Sequence, residues 1–509
     1  MEPKVLLVYP PPQLMPNEMP RPDGSLGPLY LAGALERDGI EVDVLDASVG
    51  TTSDRLEDTF YNEVMQPNGL VRIGMTVNRI SEVIARGGYN VVGINSNFTP
   101  QTKMALEVAK AAKSVSKDIL VMAGGVSARA LPERFLARDV DVVCATEGES
   151  IVVKLVQAFE QGRILAEVSG TITMKNGKVV RHHPESGDTL TNLDDLPFPA
   201  WHKLPFEHYD HVVSGGRSTF KDNERSASFM TSRGCPFRCA FCHISIERER
   251  EEENGGIGTL RLKSVDRVME ELRRLKELGV LKIYLEDDSP LAKKARVKEI
   301  FNRVRGIGLQ IADVNGVNLV HFLKGEGGRL VIDEEYLELL ADAGFRQIVF
   351  PVESASQRIL DKYATSKLNH STLDVIELVK IATRLGITCP LNMMIGFPDE
   401  TEEEIISSIE LGRRLVDVGA PYCSLFIPIP FPGSQLYDIA LRDGHLQPDF
   451  DTDDFNWRRS VMQNTTVPPE RIEELQHWGW RDINPKEYLR KRLEMDIGKR
   501  WKSSEPETT

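Results

Sequence analysis

Two separate series of short apolar segments and amphipathic stretches run along the 509-residue chain, and this alternation limits the fold more than any other feature. The first series has apolar runs of strand length at residues 5–9, 42–45, 91–94, 119–123 and 140–144. A helix is predicted at 101–114, between two of these strands. Strands that alternate with helices form parallel sheets covered on both faces, and such sheets bind ligands beyond the carboxyl ends of their strands. We therefore expect a doubly wound α/β domain over residues 1–150.

The second series begins near residue 229 and contains amphipathic helices with clear start signals. Ser264 is a predicted N-cap, and Thr401 with Glu404 has the spacing of a capping box. Six β/α units in roughly 200 residues predict a partial (β/α)6 TIM-like barrel over 225–440, with its working face at the carboxyl ends of the strands. The predicted strands are 228–231, 282–285, 310–314, 347–352, 389–395 and 422–428.

The remaining segments connect or follow these two domains. Residues 151–224 predict a helix, a hairpin whose turn is marked by Asn176 and Gly177, and a connector rich in Asp and Pro. Residues 441–509 predict a short helical region in which aromatics are clustered, among them Trp457, and a disordered tail.

Composition excludes several classes of protein. The net charge of −14 argues against a nucleic-acid binder that works through bulk positive charge. Apolar runs are too short for a membrane span, and the N-terminal apolar stretch is too short for a signal peptide. Six cysteines are too few for a disulfide scaffold.

Three of the six cysteines, Cys235, Cys239 and Cys242, lie within eight residues in a C-x3-C-x2-C pattern. Three thiolates on one loop can bind three irons of a [4Fe–4S] cluster and leave the fourth iron open. Gly234 and Pro236 favour a loop here. The alternatives are three buried thiols or a zinc site, for which the adjacent His243 is poorly placed as a fourth ligand.

With Phe241 before the third cysteine, this pattern resembles the radical S-adenosylmethionine (SAM) superfamily, and the resemblance covers roughly residues 225–440. In that family the open iron binds the amino and carboxylate groups of SAM, and an electron from the cluster cleaves SAM to give a 5′-deoxyadenosyl radical. The resemblance implies that Phe241 lies near the adenine and that an oxygen-sensitive cluster is kept in a reducing cytoplasm.

Further strand-end residues match the family in order along the barrel. The resemblance places Glu286, Asp287 and Asp288 near the SAM amine, after the second strand. It places Glu353 and Ser354 near the ribose and carboxylate, after the fourth strand. The fifth-strand segment that backs the adenine matches the stretch that contains Asn392, Ile395 and Gly396.

The N-terminal domain and the connector Leu193-Asp-Asp-Leu-Pro-Phe-Pro-Ala200 resemble the cobalamin-dependent branch of this superfamily. A glycine-rich floor suits a broad, flat corrin, because backbone can approach it closely. Histidine-ligated B12 carriers use Asp-x-His-x-x-Gly, whereas this chain has Asp46-Ala-Ser48-Val-Gly50 and no histidine there. The alternative is a flavodoxin-like domain that binds no cofactor. The cofactor contacts implied by the resemblance are Asn95, Ser96, Gly124, Gly125, Val126, Ser127, Glu147, Gly148 and Glu149.

The expected function is therefore that of a cobalamin-dependent radical SAM C-methyltransferase that acts on an unactivated carbon of a small-molecule biosynthetic intermediate. By the same resemblance its electron donor is a low-potential flavodoxin or ferredoxin. One alternative is a non-methylating enzyme of the same branch, such as an anaerobic tetrapyrrole oxidative cyclase. The other is an iron–sulfur electron carrier without catalysis. No catalytic side chain is assigned from the sequence.

Overall fold

The computed structural model describes residues 2–15, 25–163, 165–212, 224–365, 367–456 and 458–493. Trp457 and the expected disordered tail lie outside these residues. The chain divides into two compact units. The described part of the first unit comprises 2–212 and 246–261, and that of the second comprises 224–245 and 262–493.

The first unit contains a seven-stranded sheet in the order β10-β9-β8-β7-β6-β1-β3. Five of its strands run parallel, while the hairpin β9–β10 is antiparallel and forms one edge. The elements in chain order are β1 Lys4–Tyr9, β2 Gln13–Leu14, α1 Leu26–Arg37, β3 Glu41–Asp46, β4 Glu63–Met65, β5 Val71–Ile73, α2 Val77–Gly87, β6 Val91–Asn95, α3 Thr102–Val115, β7 Leu120–Gly124, α4 Val126–Ala130, α5 Pro132–Leu136, β8 Val142–Cys144, α6 Gly148–Glu160, β9 Thr171–Lys175, β10 Lys178–His182 and α7 Phe206–His211.

The doubly wound architecture predicted for this region is confirmed. One apolar core joins the sheet to α2 and α3, and a second joins it to α1 and α6 on the other face. The predicted hairpin extends this sheet instead of belonging to the connector, so the first unit continues beyond residue 150. A small antiparallel sheet, β2-β5-β4, has no counterpart in the sequence prediction, since its strands are only two or three residues long.

The second unit contains the predicted β/α series, preceded by the segment that carries the cysteines. Its elements, together with those of residues 246–261, are β11 Ser226–Phe229, β12 Ser232–Arg233, α8 His243–Glu249, α9 Glu251–Asn254, β13 Arg261–Leu262, α10 Val265–Glu277, β14 Lys282–Leu285, α11 Lys294–Val304, β15 Gln310–Asp313, β16 Leu323–Glu326, β17 Arg329–Ile332, α12 Glu334–Asp342, β18 Phe345–Gln347, β19 Phe350–Glu353, α13 Gln357–Tyr363, α14 Val375–Arg384, β20 Leu391–Met394, α15 Glu402–Asp417, β21 Cys423–Phe426, α16 Gln435–Arg442, α17 Pro469–Ile483 and α18 Lys486–Leu493.

The barrel strands lie parallel in two sheets, β11-β14-β15-β18 and β19-β20-β21. The predicted fourth strand is divided between β18 and β19, and a bridge from Gln347 to Thr388 lies at the division. The prediction of six strand positions in this order is therefore confirmed, with one strand interrupted.

Both predicted helix starts are present. The Ser264 side chain accepts a hydrogen bond from the Arg267 N–H at the start of α10. Thr401 and Glu404 form a reciprocal capping box at the start of α15. These caps satisfy N–H groups that a helix cannot pair internally.

The helical C-terminal part packs within the second unit. Phe455 and Met462 are buried in a core that also contains Ala240 of the cysteine segment and Phe397. The predicted aromatic cluster therefore contributes at least one ring to structural packing. No helix in the described ranges has the length and apolarity that a membrane crossing requires.

A buried ion pair fixes the end of the first barrel strand. The Lys263 ammonium lies 2.5 Å from Glu271 of α10, and both side chains are fully buried. Lys263 also donates to the backbone oxygen of Met230, at 2.7 Å. Glu271 has a second partner in Arg267, at 2.8 Å. The pair thereby ties α10 to the chain that leads from β11 toward the cysteines.

Replacing Glu271 by Ala is expected to lower the free energy of unfolding of the second unit by about 3–5 kcal/mol, because it leaves the Lys263 charge buried without its carboxylate. Urea unfolding followed by tryptophan fluorescence would measure this change. Glu270→Ala is the matched control, since Glu270 pairs with Arg273 and Arg274 on the exposed face of the same helix and contributes little. Equal midpoints for the two variants would contradict the role of the buried pair.

Candidate functional site

The three clustered cysteines lie on a loop between β12 and α8, as predicted. Cys239 is buried, and Cys235 and Cys242 are partly buried. The Cys242 N–H and the Ser245 hydroxyl both donate to the Cys239 carbonyl, at 3.1 and 3.0 Å. These bonds bend the chain tightly between the second and third cysteines and lead directly into α8.

The carboxylates after β14 hold the beginning of this loop. Asp287 is buried and accepts from the Thr231 N–H at 2.9 Å, the Thr231 hydroxyl at 2.7 Å and the Ser232 hydroxyl at 2.5 Å. Asp288 accepts from the Gly234 N–H at 2.9 Å. The SAM contact expected for Asp287 does not fit this geometry, because its oxygens are already occupied and shielded from solvent. Asp287 is instead a residue that positions the cysteine loop.

The other side of the loop is held by later elements of the barrel. The Ala240 N–H donates to the Tyr363 carbonyl at 2.7 Å, and the Leu436 N–H donates to the Ala240 carbonyl at 2.7 Å. The Thr365 hydroxyl donates to the Arg238 carbonyl at 3.1 Å. The ends of α13 and α16 therefore fix the backbone between the cysteines.

Burial dominates the electrostatics of the three thiols. It raises the pKa of Cys239 to about 11, and it also raises the pKa of Cys235 and Cys242. The backbone N–H groups of Phe237 and Ile244 oppose this effect at Cys235 and Cys242 respectively. Iron is bound by thiolates, so groups that stabilise negative sulfur favour cluster binding.

The cysteine geometry fits a cluster. The three thiols lie within eight residues on one loop, and each of them is buried or partly buried. Within the described ranges, no three His, Cys, Asp or Glu side chains converge closely enough to bind a single metal ion. A [4Fe–4S] cluster makes a different demand, since each cysteine binds a separate iron.

The predicted adenine wall is brought together around Phe241. Its ring centroid lies 6.1 Å from that of Phe397, which stacks on Tyr363 at 4.4 Å. Along β20 the partly buried Asn392 and Met394 alternate with buried residues and therefore lie on one face of the strand. Met394 packs in the same apolar cluster as Phe241.

The loop after β20 has its own internal support. One oxygen of the buried Glu400 accepts from the N–H groups of Gly396 and Phe397, at 2.6 and 3.1 Å, and burial raises the pKa of this carboxyl to about 7. Gly396 has φ of +95°, and a Cβ there would lie 2.5 Å from Ile472. Packing thus accounts for the glycine, and the buried Ile395 offers only backbone to a cofactor.

The residues after β19 divide into two roles. Glu353 is buried at φ +63° and pairs with Lys367 at 2.6 Å. Ser354 is fully buried, lies 3.2 Å from the Ser408 hydroxyl and accepts from the Ser356 N–H. The expected SAM contact therefore remains open for Glu353, while the Ser354 side chain serves the packing of α15.

Glu286 stays partly accessible at the end of β14. The Ser228 hydroxyl donates to one of its oxygens at 2.8 Å. Asp288 is exposed and Glu286 half-buried, so these two carboxylates can still reach a ligand cation. The SAM-amine prediction stays a prediction for both.

In the first unit, Asn95 is the last residue of β6, the strand next to β1, and Ser96 follows it. The chain leaves β1 toward β3 on one side of the sheet and resumes with β6 on the other, and ligands bind at such a switch point. The Ser96 hydroxyl is buried and has no hydrogen-bond partner among the described residues. A hydroxyl of this kind suits a bound ligand, because an unmade buried hydrogen bond is costly.

The neighbouring strand end carries the two glycines that the sequence predicted at the corrin site. Gly124 ends β7, and Gly125 has φ of +103°. A Cβ at Gly125 would lie 2.5 Å from the Ser96 carbonyl oxygen and 2.5 Å from the Asn97 side chain. Packing against the Ser96 backbone accounts for Gly125, so the fit to cobalamin rests on the Ser96 hydroxyl, with Gly124 and Val126 partly buried beside it.

The four other predicted cobalamin contacts are engaged or buried within the first unit. The buried Ser127 hydroxyl bonds to Thr102 at 2.8 Å. Glu147 accepts two hydrogen bonds from Arg261, at 2.6 and 2.9 Å. A Cβ at Gly148 would lie 2.7 Å from Leu31, so this glycine permits close packing of α6 on α1. Glu149 is buried in the first turn of α6.

The loop that lacks a cobalt-ligating histidine is closed by hydrogen bonds from the connector. Asp46 is buried and accepts from the Ser48 hydroxyl at 2.6 Å and the Tyr209 hydroxyl at 2.7 Å. Burial raises the pKa of this carboxyl. His208, from α7, bonds to the Val49 carbonyl at 3.2 Å.

Sequence reasoning missed several residues around the cysteines. Lys367 pairs with Glu353, Asn318 acts to lower the pKa of the Cys235 thiol, and Tyr363 contacts both Ala240 and Phe397. A lysine or asparagine in a polar loop has no local signal of such a role. Only the Tyr363 ring, three residues after the apolar Leu360, could have been predicted to be buried.

Ser96→Ala is expected to weaken hydroxocobalamin binding about 5–10-fold, because it removes one hydrogen bond to the ligand. It should leave the stability of the ligand-free protein unchanged or higher, since the hydroxyl has no partner there. Equilibrium binding followed by corrin absorbance measures the affinity.

Ser127→Ala is the matched control, because it removes the hydrogen bond to Thr102 and should lower stability by about 1 kcal/mol while corrin affinity is retained. If Ser127→Ala weakened corrin binding and Ser96→Ala did not, Ser127 rather than Ser96 would be the residue that contacts the cofactor.

Two family models match the chain: the radical SAM superfamily over residues 229–412 and the B12 binding domain over residues 24–156. An uncharacterised methyltransferase of Pyrococcus horikoshii is 29% identical over 93% of this chain and 88% of that protein. The cytidylyl-2-hydroxyethylphosphonate methyltransferase of Streptomyces wedmorensis is 28% identical over 88% of this chain and 83% of that protein.

A solved structure shares the fold of both units. It is that of TsrM, a radical SAM methyltransferase from Kitasatospora setae with cobalamin and a [4Fe–4S] cluster bound. The TM-score is 0.61 at 18% identity, and the match covers 88% of this chain and 76% of that chain. The expected order of a B12-type sheet followed by a partial barrel is confirmed. The chain therefore combines a radical SAM domain with a B12 binding domain, and these domains imply a [4Fe–4S] cluster, SAM and cobalamin as cofactors.

Proposed function

We propose that this enzyme is a C-methyltransferase that adds a methyl group to an unactivated carbon of a small-molecule biosynthetic intermediate. The observation that carries the proposal is the presence, in one chain, of a B12-type sheet edge with a buried Ser96 hydroxyl that has no partner among the described residues, and of a loop with three buried or partly buried cysteines. The methyltransferase names of the two curated relatives, which match nearly full length, support the same reaction.

The chemistry requires cofactors because an unactivated carbon has no proton that a protein base can remove. When bound, the cluster with SAM supplies hydrogen abstraction from carbon, and cobalamin supplies the methyl group. The side chains of the enzyme then bind, orient and shield these groups.

In the second unit, Cys235, Cys239 and Cys242 would hold the cluster. Asp287 keeps the entry to their loop in place through Thr231 and Ser232, and burial protects the site from solvent. Such fixed geometry matters because catalytic groups must be held close to the productive arrangement.

The SAM pocket of the proposal combines one apolar wall with carboxylates. Phe241 and Phe397 provide the wall, and Asn392 lies on the partly open face of β20. Glu353 and Glu286 offer carboxylate oxygens at the ends of β19 and β14. This composition suits a ligand with a flat base, a ribose and an ammonium group.

In the first unit, Asn95, Ser96, Gly124 and Gly125 would contact the corrin. The hydroxyl of Ser96 provides a directional contact, and the partly buried Gly124 has no side chain to obstruct a flat ring. We propose that the electron donor is a flavodoxin or ferredoxin, as the resemblance implies. We also propose that the enzyme works in a reducing cytoplasm, because an open iron of the cluster is sensitive to oxygen.

Cys239→Ala is expected to abolish cleavage of SAM to 5′-deoxyadenosine, because the cluster loses one of its three protein ligands. The measurement uses anaerobically reconstituted protein with dithionite, and iron per chain is determined in parallel. Cys389→Ala is the control, since Cys389 is buried in the barrel core and should retain both iron and SAM cleavage. A Cys239→Ala variant that still cleaves SAM would disprove the radical SAM mechanism.

SAM labelled in its methyl group separates the candidate reactions. Methyl transfer predicts that the label appears in the product and that both S-adenosylhomocysteine and 5′-deoxyadenosine are formed. A product without label, accompanied by 5′-deoxyadenosine alone, would instead identify a cyclase-type oxidation. Protein with a cluster that cleaves no SAM would identify an electron carrier.

A further inference from the structure

A lysine that the proposed reaction does not use lies beside the cysteine loop. Lys367 follows α13, and its ammonium is 2.6 Å from Glu353 at the end of β19. The exposed fractions of the two side chains are 13% and 7%. A pair this well shielded keeps most of its electrostatic strength, because little water screens it.

The chain around Lys367 is bound directly to the cysteine loop. Tyr363 accepts from the Ala240 N–H, and Thr365 donates to the Arg238 carbonyl. The Lys367 N–H donates to the Ala364 carbonyl at 3.1 Å, which closes a turn after α13. These three contacts hold the chain that carries Lys367 against the cysteine loop. The position of this chain therefore does not depend on the ion pair alone.

The geometry places the charge of Lys367 beside the second cysteine. Tyr363 and Thr365 bond to Ala240 and Arg238, the residues on either side of Cys239, and Lys367 follows only two residues after Thr365. In agreement with this placement, Lys367 opposes the rise in pKa that burial causes at the Cys239 thiol.

A fixed cation near an iron–sulfur cluster favours the reduced state, which carries one more negative charge. A fixed anion has the opposite effect. We propose that Lys367 is a positioning residue that raises the reduction potential of the cluster and holds Glu353 oriented toward the SAM pocket. Glu353 and Lys367 then act as an opposed pair whose balance sets how readily the cluster accepts its electron.

This inference rests on the cluster and not on methyl transfer. Its test therefore uses anaerobically reconstituted protein without substrate or cobalamin. The midpoint potential of the cluster is measured by redox titration followed by electron paramagnetic resonance, with iron per chain determined for every variant.

Four variants give opposed expectations. K367M should shift the midpoint to more negative potential, and E353Q should shift it to more positive potential. K367R keeps the charge and should stay near the wild type. K362M is the matched control, because Lys362 lies in α13, which precedes Lys367, but is half exposed and paired with Asp399, so its charge is screened.

A K367M protein with full iron and an unchanged midpoint would overturn the proposal. So would a shift of the same size in K362M, since the effect would then be one of overall charge. If K367M loses iron, the E353Q variant decides the question. An E353Q midpoint equal to or below that of the wild type would contradict the proposal that Glu353 and Lys367 have opposed effects. Failure of the methyl-labelling experiment would leave all of these outcomes unaffected.

Discussion

The second unit is organised around the cost of burying three cysteine sulfurs on one loop. Each thiol loses solvation there, and three neighbouring thiolates would repel one another. The loop must therefore be held by its backbone, because its side chains are committed to the metal. Carbonyls and N–H groups at 234, 239 and 240 bond to residues after β14, in α8, at the end of α13 and at the start of α16. Distant parts of the barrel thus converge on one short segment.

The same constraint explains why strand-end carboxylates have unequal roles. Asp287 is fully occupied by Thr231 and Ser232, while the adjacent Asp288 reaches one backbone N–H and remains exposed. Glu353 is turned inward by a left-handed backbone and meets a lysine. Acidic residues that look alike in the sequence therefore divide into those that build the loop and those that remain available to a ligand.

Periodicity predicted the architecture well, because buried strands and amphipathic helices leave local patterns in the sequence. Periodicity did not predict the role of residues whose identity is determined by contacts with residues distant in the sequence. Gly148 is required by Leu31 and Gly396 by Ile472, and neither contact can be inferred from neighbouring residues. The interruption between β18 and β19 was hidden inside a continuous apolar run. Lys367 was missed for the same reason, since a single lysine in a polar loop resembles any exposed lysine.

The segment 246–261 belongs to the first unit although it lies inside the first β/α repeat of the barrel sequence. Its Arg261 and Glu247 pair with Glu147 and Arg129 of that unit. The polypeptide accordingly passes between the two units more than once. A gene fragment that ends at the connector would lack residues 246–261, which belong to the first unit. A fragment that encodes only the barrel would contain these residues without the unit against which they fold. The two units are therefore separate in structure but not in sequence. Recombination at the connector would exchange neither unit intact, because residues 246–261 would be separated from the first unit.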